Sequence, residues 1–264
     1  MKKIAFCFLC KNGIKNKELW LKFFKGNEDR FNIYFHCSDP HTEVKDKMIL
    51  NHLVPQFHTS WGDLYGGVCS MYNFALRNND YKYILLSESC IPVKSFNSIY
   101  DFLVKDNSSY VCYQKHIARN HHERGTLIQS YERFLANAKR SAPFMYEISI
   151  KHWYFHEMWT ILNKNHVNMI MNNHFIVETF RSMKCYAYDE NIIAYILSLN
   201  NQLENVNSMK TTFTNWQEAF TDKKGGRHPK TYSEISKKDI ESFKPYLFAR
   251  KFEEIKNIEK IIEL

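Results

Sequence analysis

Residues 83–96 read YILLSESCIPVKSF. The apolar run Tyr83-Ile84-Leu85-Leu86 has the composition of a buried strand, and it stops abruptly at the polar triplet Ser87-Glu88-Ser89. In open α/β sheets, ligands bind at the carboxyl ends of the strands, so the triplet marks a candidate site. A divalent cation at such an edge takes several oxygen ligands. The triplet offers one carboxylate, and an anion bound there needs its counter-charge from elsewhere in the chain.

The neighbouring segments supply the rest of the sheet. Ile4 to Cys10 reads as a strand, Glu18 to Phe24 as a helix, and Asn32 to His36 as a second strand ending in Cys37-Ser38-Asp39-Pro40. Leu64 to Arg77 has helical spacing, Tyr81 to Leu86 is the strand of the opening stretch, and Phe96 to Val104 is the helix behind it. This β-α-β-α order predicts an α/β fold with a mostly parallel central sheet flanked by helices. Residues 114–147 are polar and basic and read as a long excursion over the active face. From Trp159 the pattern becomes helical, and Asn191 to Leu199 reads as a further helix. Residues 221–230, TDKKGGRHPK, read as a basic loop, and the spacing of Phe248, Phe252, Ile255, Ile258, Ile261 and Ile262 predicts a carboxyl-terminal amphipathic helix. No repeat or linker divides the chain, so residues 1–264 are read as a single domain.

Composition narrows the function. Of 264 residues, 16% are aromatic, which excludes a disordered chain and suits stacking against sugars or nucleobases. The formal charge of +8 fits an anionic partner, and it equally fits a lysine-rich surface that serves solubility. The seven cysteines are odd in number and several lie inside apolar runs, as reduced thiols do. Cys7 and Cys10 form a nominal C-x-x-C within the first strand, where they face opposite sides as core residues. MKKIAFCFLC imitates a secretory leader but has no small-residue cleavage site, and no stretch approaches the roughly 20 apolar residues of a membrane span. The expected location is the cytoplasm, with peripheral membrane contact left open. The sequon at Asn107 carries no weight without secretion.

Several residues are candidates for chemistry. Tyr188-Asp189-Glu190 precedes the helix from Asn191; acids there cap a helix, or one caps and the other projects as a base kept ionised by the helix terminus. Arg227, beside two glycines, and Lys251 are either surface cations or the pair that neutralises a diphosphate without a metal. Trp216 stands in a polar neighbourhood, where its ring suits a sugar's apolar face or core packing. His152-x-x-x-His156-Glu157 and His121-His122 lack the order or third ligand of a zinc site. The chain has no phosphate-binding glycine loop and no nucleophile elbow.

Together these stretches resemble the core-2/I-branching β-1,6-N-acetylglucosaminyltransferase family, including its plant and microbial relatives. Leu85-Leu86-Ser87-Glu88-Ser89-Cys90-Ile91-Pro92 is very similar to the L-L-S-E-S-C-I-P signature of plant-type members. Tyr34 to Asp39 resembles the segment after the second strand, Ser60-Trp61-Gly62 the S-W or W-G element, and Trp159 the Q-W before a helix. Tyr188-Asp189-Glu190 resembles the P-D-E motif and Asn215-Trp216 the x-W position. Gly226-Arg227-His228-Pro229 and Phe248-Ala249-Arg250-Lys251-Phe252 resemble the closing basic motifs. The islands run in family order from about residue 4 to 252.

The resemblance implies a GT-A-like glycosyltransferase fold and transfer from a UDP-sugar to a glycan hydroxyl with inversion. N-acetylglucosamine is the first expectation for the sugar and xylose the second. Carried over by position, Glu190 is the base, Asp39 contacts the nucleoside, Arg227 and Lys251 hold the diphosphate, and Trp216 lines the acceptor site. Glu88 is left to hydrogen-bond a sugar hydroxyl or to brace its loop. Residues 221–264 close the donor site; no metal or other cofactor is expected. Tyr188 stands where the family has proline, and Cys37-Ser38 changes the approach to Asp39. Animal and plant members carry an anchor and secretory disulfides that are not evident here, which implies a microbial or viral enzyme. Two rival classes remain: a non-catalytic carbohydrate- or nucleotide-binding module, and a basic nucleic-acid binder. No nucleic-acid module is recognisable, so no nucleic-acid partner is expected.

Overall fold

Seven consecutive buried residues make β1 (Ile4–Cys10) the heart of the structure. Apolar side chains on both faces of a strand require cover on both, and β1 receives it. The computed structural model describes residues 1–39, 46–115, 149–182, 188–223 and 227–264. β2 (Phe31–Cys37) and β3 (Lys82–Ser87) flank β1 in parallel, and β7 (Ile161–Asn163) adds antiparallel to β3, giving the order β2-β1-β3-β7. Ile4, Phe6, Phe8 and Cys10 pack on one side with Trp20, Phe23 and Phe24 of α1 (Lys17–Phe24) and with Phe96 and Ile99 of α4 (Phe96–Val104). Ala5, Cys7 and Leu9 pack on the other with α3 (Tyr65–Arg77), α5 (Lys164–Asn172), α6 (His174–Ser182) and α7 (Ile192–Leu199). Cys7 and Cys10 thus face opposite sides as buried thiols, as their spacing in a strand requires. The remaining helix before α3 is the single turn α2 (Lys47–Leu50), capped by Asp46, which accepts the Met48 N–H.

A second sheet lies at the carboxyl edge of the first. It consists of β4 (Ile91–Pro92), β11 (Phe248–Arg250) and β8 (Thr212–Thr214), with β11 in the middle, antiparallel to β4 and parallel to β8. The ribbon of β5 (Tyr113–Lys115) and β6 (Tyr154–His156) and the hairpin of β9 (Phe220–Thr221) and β10 (Arg227–His228) complete the strands described. α8 (Lys237–Phe243), with a capping box at Ser236 and Asp239, and α9 (Ile258–Ile261) close the chain.

Three sequence expectations need correction. The segment after Trp159 first forms β7 and turns helical only at Lys164. The apolar spacing from Phe248 to Ile262 is not one helix: Phe248 lies in β11, Phe252 bridges to Tyr232, and only Ile258–Ile261 is helical. The basic stretch 221–230 is the β9–β10 hairpin at its ends rather than an open loop, residues 224–226 lying outside the described residues. Most of the 114–147 excursion, with His121-His122, and Cys185 lie outside them as well.

Gly67 shows how closely α3 seats against β2. A Cβ there would come 2.7 Å from Nδ1 and 2.9 Å from Cγ of His36, whose Nε2 accepts the Phe57 N–H at 2.9 Å. Gly67→Ala is therefore expected to destabilise the protein by about 1–3 kcal/mol, as overpacked cores do. Thermal unfolding checks it; an unchanged midpoint would show that His36 yields freely.

Candidate active site

The parallel strands β1, β2 and β3 deliver their carboxyl ends to one edge, and backbone hydrogen bonds join the loops that leave them. Ser38 N–H donates to Cys10 O and Asp39 N–H to Lys11 O, both at 2.9 Å, so Asp39 sits over the end of β1. Glu88 N–H donates to Leu9 O at 3.0 Å, and Glu88 O accepts the Lys15 N–H at 2.8 Å. The Glu88 carboxylate accepts the Lys11 N–H through Oε2 at 2.6 Å. Of the two tasks left to Glu88 by the sequence, bracing the loop after β1 is the one visible in its hydrogen bonds. Ser89 turns inward, buried, and its carbonyl accepts the Phe252 N–H at 3.0 Å, which seats Lys251 beside Glu88.

Lys251 is half-buried and keeps company with charge. Burial pushes its proton affinity down, neighbouring Arg250 and Lys15 push it the same way, and Glu88 and Glu253 oppose them. Cations drawn together at a partly desolvated edge describe a place suited to an anion. Tyr232 N–H donates to Lys251 O at 2.7 Å and Lys230 N–H to Asn215 O at 2.9 Å. These bonds root the β9–β10 hairpin beside Lys251. On that hairpin Arg227 lies 6.0 Å from the centroid of Trp216, which is 42% exposed. Arg227 and Trp216, assigned separately by sequence, are thus neighbours on one exposed element.

Glu190 ends a short 3-10 turn, Tyr188–Glu190, immediately before α7. The turn is clamped from two directions. On one side, Tyr188 OH donates to Asp63 and the Asp189 carboxylate accepts the Leu64 N–H at 3.3 Å, which ties the turn to the head of α3. On the other, Asn191 Nδ2 donates to Tyr154 O at 2.9 Å and the Ile193 N–H donates to His156 Nε2 at 3.3 Å, which ties it to β6. The buried His156 is pushed down to about 4 by desolvation and stays neutral, its Nδ1–H directed at Glu157 O 3.0 Å away. The i, i+4 histidines therefore have structural partners, His152 Nδ1 meeting Ser198 Oγ at 2.9 Å. Among the described residues, no group of three or more His, Cys, Asp or Glu is arranged to hold a metal ion.

The electrostatics of Glu190 correct one expectation. Glu190 is raised to about 7, chiefly by desolvation, with the negative Asp189 and Glu157 pushing the same way and Arg250 pulling back. Burial and acidic neighbours thus outweigh the positive potential of the helix terminus. Of the two acids, Asp189 turns its carboxylate to the head of α3, and burial raises it to about 6. A carboxyl poised near neutrality is suited to proton exchange at working pH. If Glu190 acts as a base it must be ionised, so rate rises with pH through about 7 and falls about tenfold per pH unit below it. A pH profile of kcat/KM checks this; a flat profile between pH 5 and 8 would exclude Glu190 as the base.

Sequence reasoning passed over the residues that join the two halves of the site. Arg250, at the end of β11, lies with its guanidinium 4.2 Å from the centroid of Trp159, and its charge acts on both Glu190 and Lys251. Glu157 follows β6, pairs with Lys210 at 2.8 Å and also faces Glu190. Arg250 stood in a quoted motif beside Lys251, but nothing local marks which of two adjacent cations acts on Glu190. Glu157 carries no local signal at all.

A mostly parallel α/β sheet thus places a cation cluster at its carboxyl edge, with a carboxyl poised near neutrality linked to that cluster through Arg250. Residues 4–245 match the core-2/I-branching enzyme family, and the chain belongs to it. Among individual proteins, the chain is similar to "Glycosyltransferase BC10" of Oryza sativa subsp. japonica, at 21% identity over 189 residues, covering 68% of this chain and 43% of that one. The chain thus spans less than half the length of this curated relative. The crystal structure of the galactosyltransferase LgtC with donor and acceptor sugar analogues overlaps it with a TM-score of 0.34 at 11% identity, over 79% of this chain and 75% of that one. That overlap is too slight to carry an argument. Among the described residues, no helix is long and apolar enough to cross a membrane.

Proposed function

We propose that this protein transfers a sugar from a UDP-sugar to a hydroxyl of a glycan acceptor, with inversion and without a divalent metal. The observation that carries the reading is the pairing of a poised carboxyl, Glu190, with the cation cluster around Lys251, the two joined by Arg250. The acceptor hydroxyl attacks the anomeric carbon from the face opposite the nucleotide. As the new C–O bond forms, Glu190 takes the hydroxyl proton, the bond to the diphosphate breaks, and its electron pair leaves on the diphosphate oxygen. Lys251 and Arg227 stabilise that charge in the manner of preorganised donors. Asp39, above the end of β1, contacts the nucleoside, and Trp216 offers its exposed ring to the acceptor. Glu88, which braces its loop through Oε2, presents its other oxygen to a sugar hydroxyl. N-acetylglucosamine is the first donor sugar to test and xylose the second.

The test is a thermal-shift panel of UDP-N-acetylglucosamine, UDP-xylose, UDP-glucose and UDP-galactose in excess EDTA. One donor is expected to raise the midpoint, because a ligand stabilises the state it binds. Stabilisation that appears only with Mn²⁺ would sink the metal-independent reading, and no shift with any of them would sink the donor assignment.

A further inference from the structure

The loop after β1 carries a cation that none of the expected roles uses. Lys15 pairs with Glu253, the side chains 30% and 52% exposed, and its charge is felt by Lys251. Its position is fixed. Lys15 N–H donates to Glu88 O at 2.8 Å, and the next residue, Asn16, is buried in a left-handed conformation with φ 54° that asparagine tolerates. Asn16 is bolted to the chain just past Lys251. Its N–H donates to Glu254 Oε2 at 2.7 Å, its Nδ2 donates to Glu253 O at 2.8 Å, and its Oδ1 accepts the Ile255 N–H at 2.9 Å. The start of α1 and the segment after β11 thus form one joint, with Lys15 and Lys251 on its two sides and Glu88 beneath.

We infer that Lys15 is a further diphosphate-binding residue, which exchanges its ion pair with Glu253 for the phosphate oxygens of a bound nucleoside diphosphate. The inference rests on the proposed donor site. A diphosphate held without a divalent cation needs several monovalent ones around it. Lys15, held by Glu253, stands near enough for its charge to act on Lys251. The exposed pair with Glu253 contributes little and is given up at small cost, whereas a charge-assisted bond to phosphate is among the stronger ones. Glu253 in this arrangement holds Lys15 in place and competes with the ligand.

Calorimetric titration of the full chain with UDP and with uridine tests this. Lys15→Gln is expected to weaken UDP about tenfold, as for loss of one hydrogen-bonded charge, and to leave uridine unchanged. Lys15→Arg should keep most of the affinity. Glu253→Gln should tighten UDP binding, a gain that a merely structural ion pair would not produce. Lys15→Gln binding UDP like wild type, or losing uridine equally, would overturn the role of Lys15 while Lys251→Gln still weakens UDP. If Lys251→Gln leaves UDP affinity intact, or wild type binds no UDP, the donor-site reading fails instead.

Discussion

Glu190→Gln is expected to lower turnover by about 10²- to 10⁴-fold, the range associated with loss of a general base, with little change in donor affinity. The glutamine keeps the shape of the side chain at the head of α7 and removes only its ability to take a proton. The clamps around it, Tyr188 to Asp63, Asp189 to Leu64 and Ile193 to His156, do not involve the Glu190 side chain. Stability offers an internal control. A carboxyl raised to about 7 in the folded protein contributes stability that is complete below the ordinary carboxylate range and is lost as pH rises through about 7. Above that pH the glutamine variant should therefore unfold no earlier than wild type. Single-turnover rates with thermal midpoints at pH 8 check both; near-normal turnover would remove Glu190 from the mechanism.

Lys251→Ala should have the second largest effect, about 10²- to 10³-fold in kcat, the cost typical of losing one preorganised donor to developing charge. Its ammonium is half-buried beside Arg250 and Lys15, where water cannot replace it cheaply. The loss should fall on kcat more than on KM if the cation serves the departing diphosphate more than the bound donor. A rise in KM alone, with kcat unchanged, would make Lys251 a ground-state binding residue. Arg227 differs in setting: its hairpin is exposed and its guanidinium rests near Trp216, so its substitution should show the greater dependence on salt.

The parts of this fold that could be read from sequence are those with long, uniform burial. β1 and β3 are continuous apolar runs, and α1, α3 and α4 repeat their apolar residues at helical spacing; all lie within a residue or so of where pattern places them. β7 is three residues long, too short for a period to show, and it leads directly into α5. The carboxyl-terminal run misleads for another reason. Phe248, Phe252, Ile255 and Ile258 are all buried, at intervals that fit a helix, yet their burial comes from β11, a bridge to Tyr232 and packing against Leu19. At the site, Glu190, Lys251 and Asp39 stand at element ends that motifs mark. Arg250, Glu157 and Lys15 act through chain segments far apart in sequence, such as the joint from Asn16 to Ile255, and no local pattern encodes such a meeting.

Nucleotide release from the stabilising UDP-sugar, measured in excess EDTA with a glycan acceptor for wild type and Glu190→Gln, puts base and cations to the test together. Wild-type turnover unaffected by the chelator and lost with the glutamine is the expected result. Turnover that stops in EDTA and returns with Mn²⁺, or that persists with glutamine at position 190, would contradict a base-and-cation site at this strand edge.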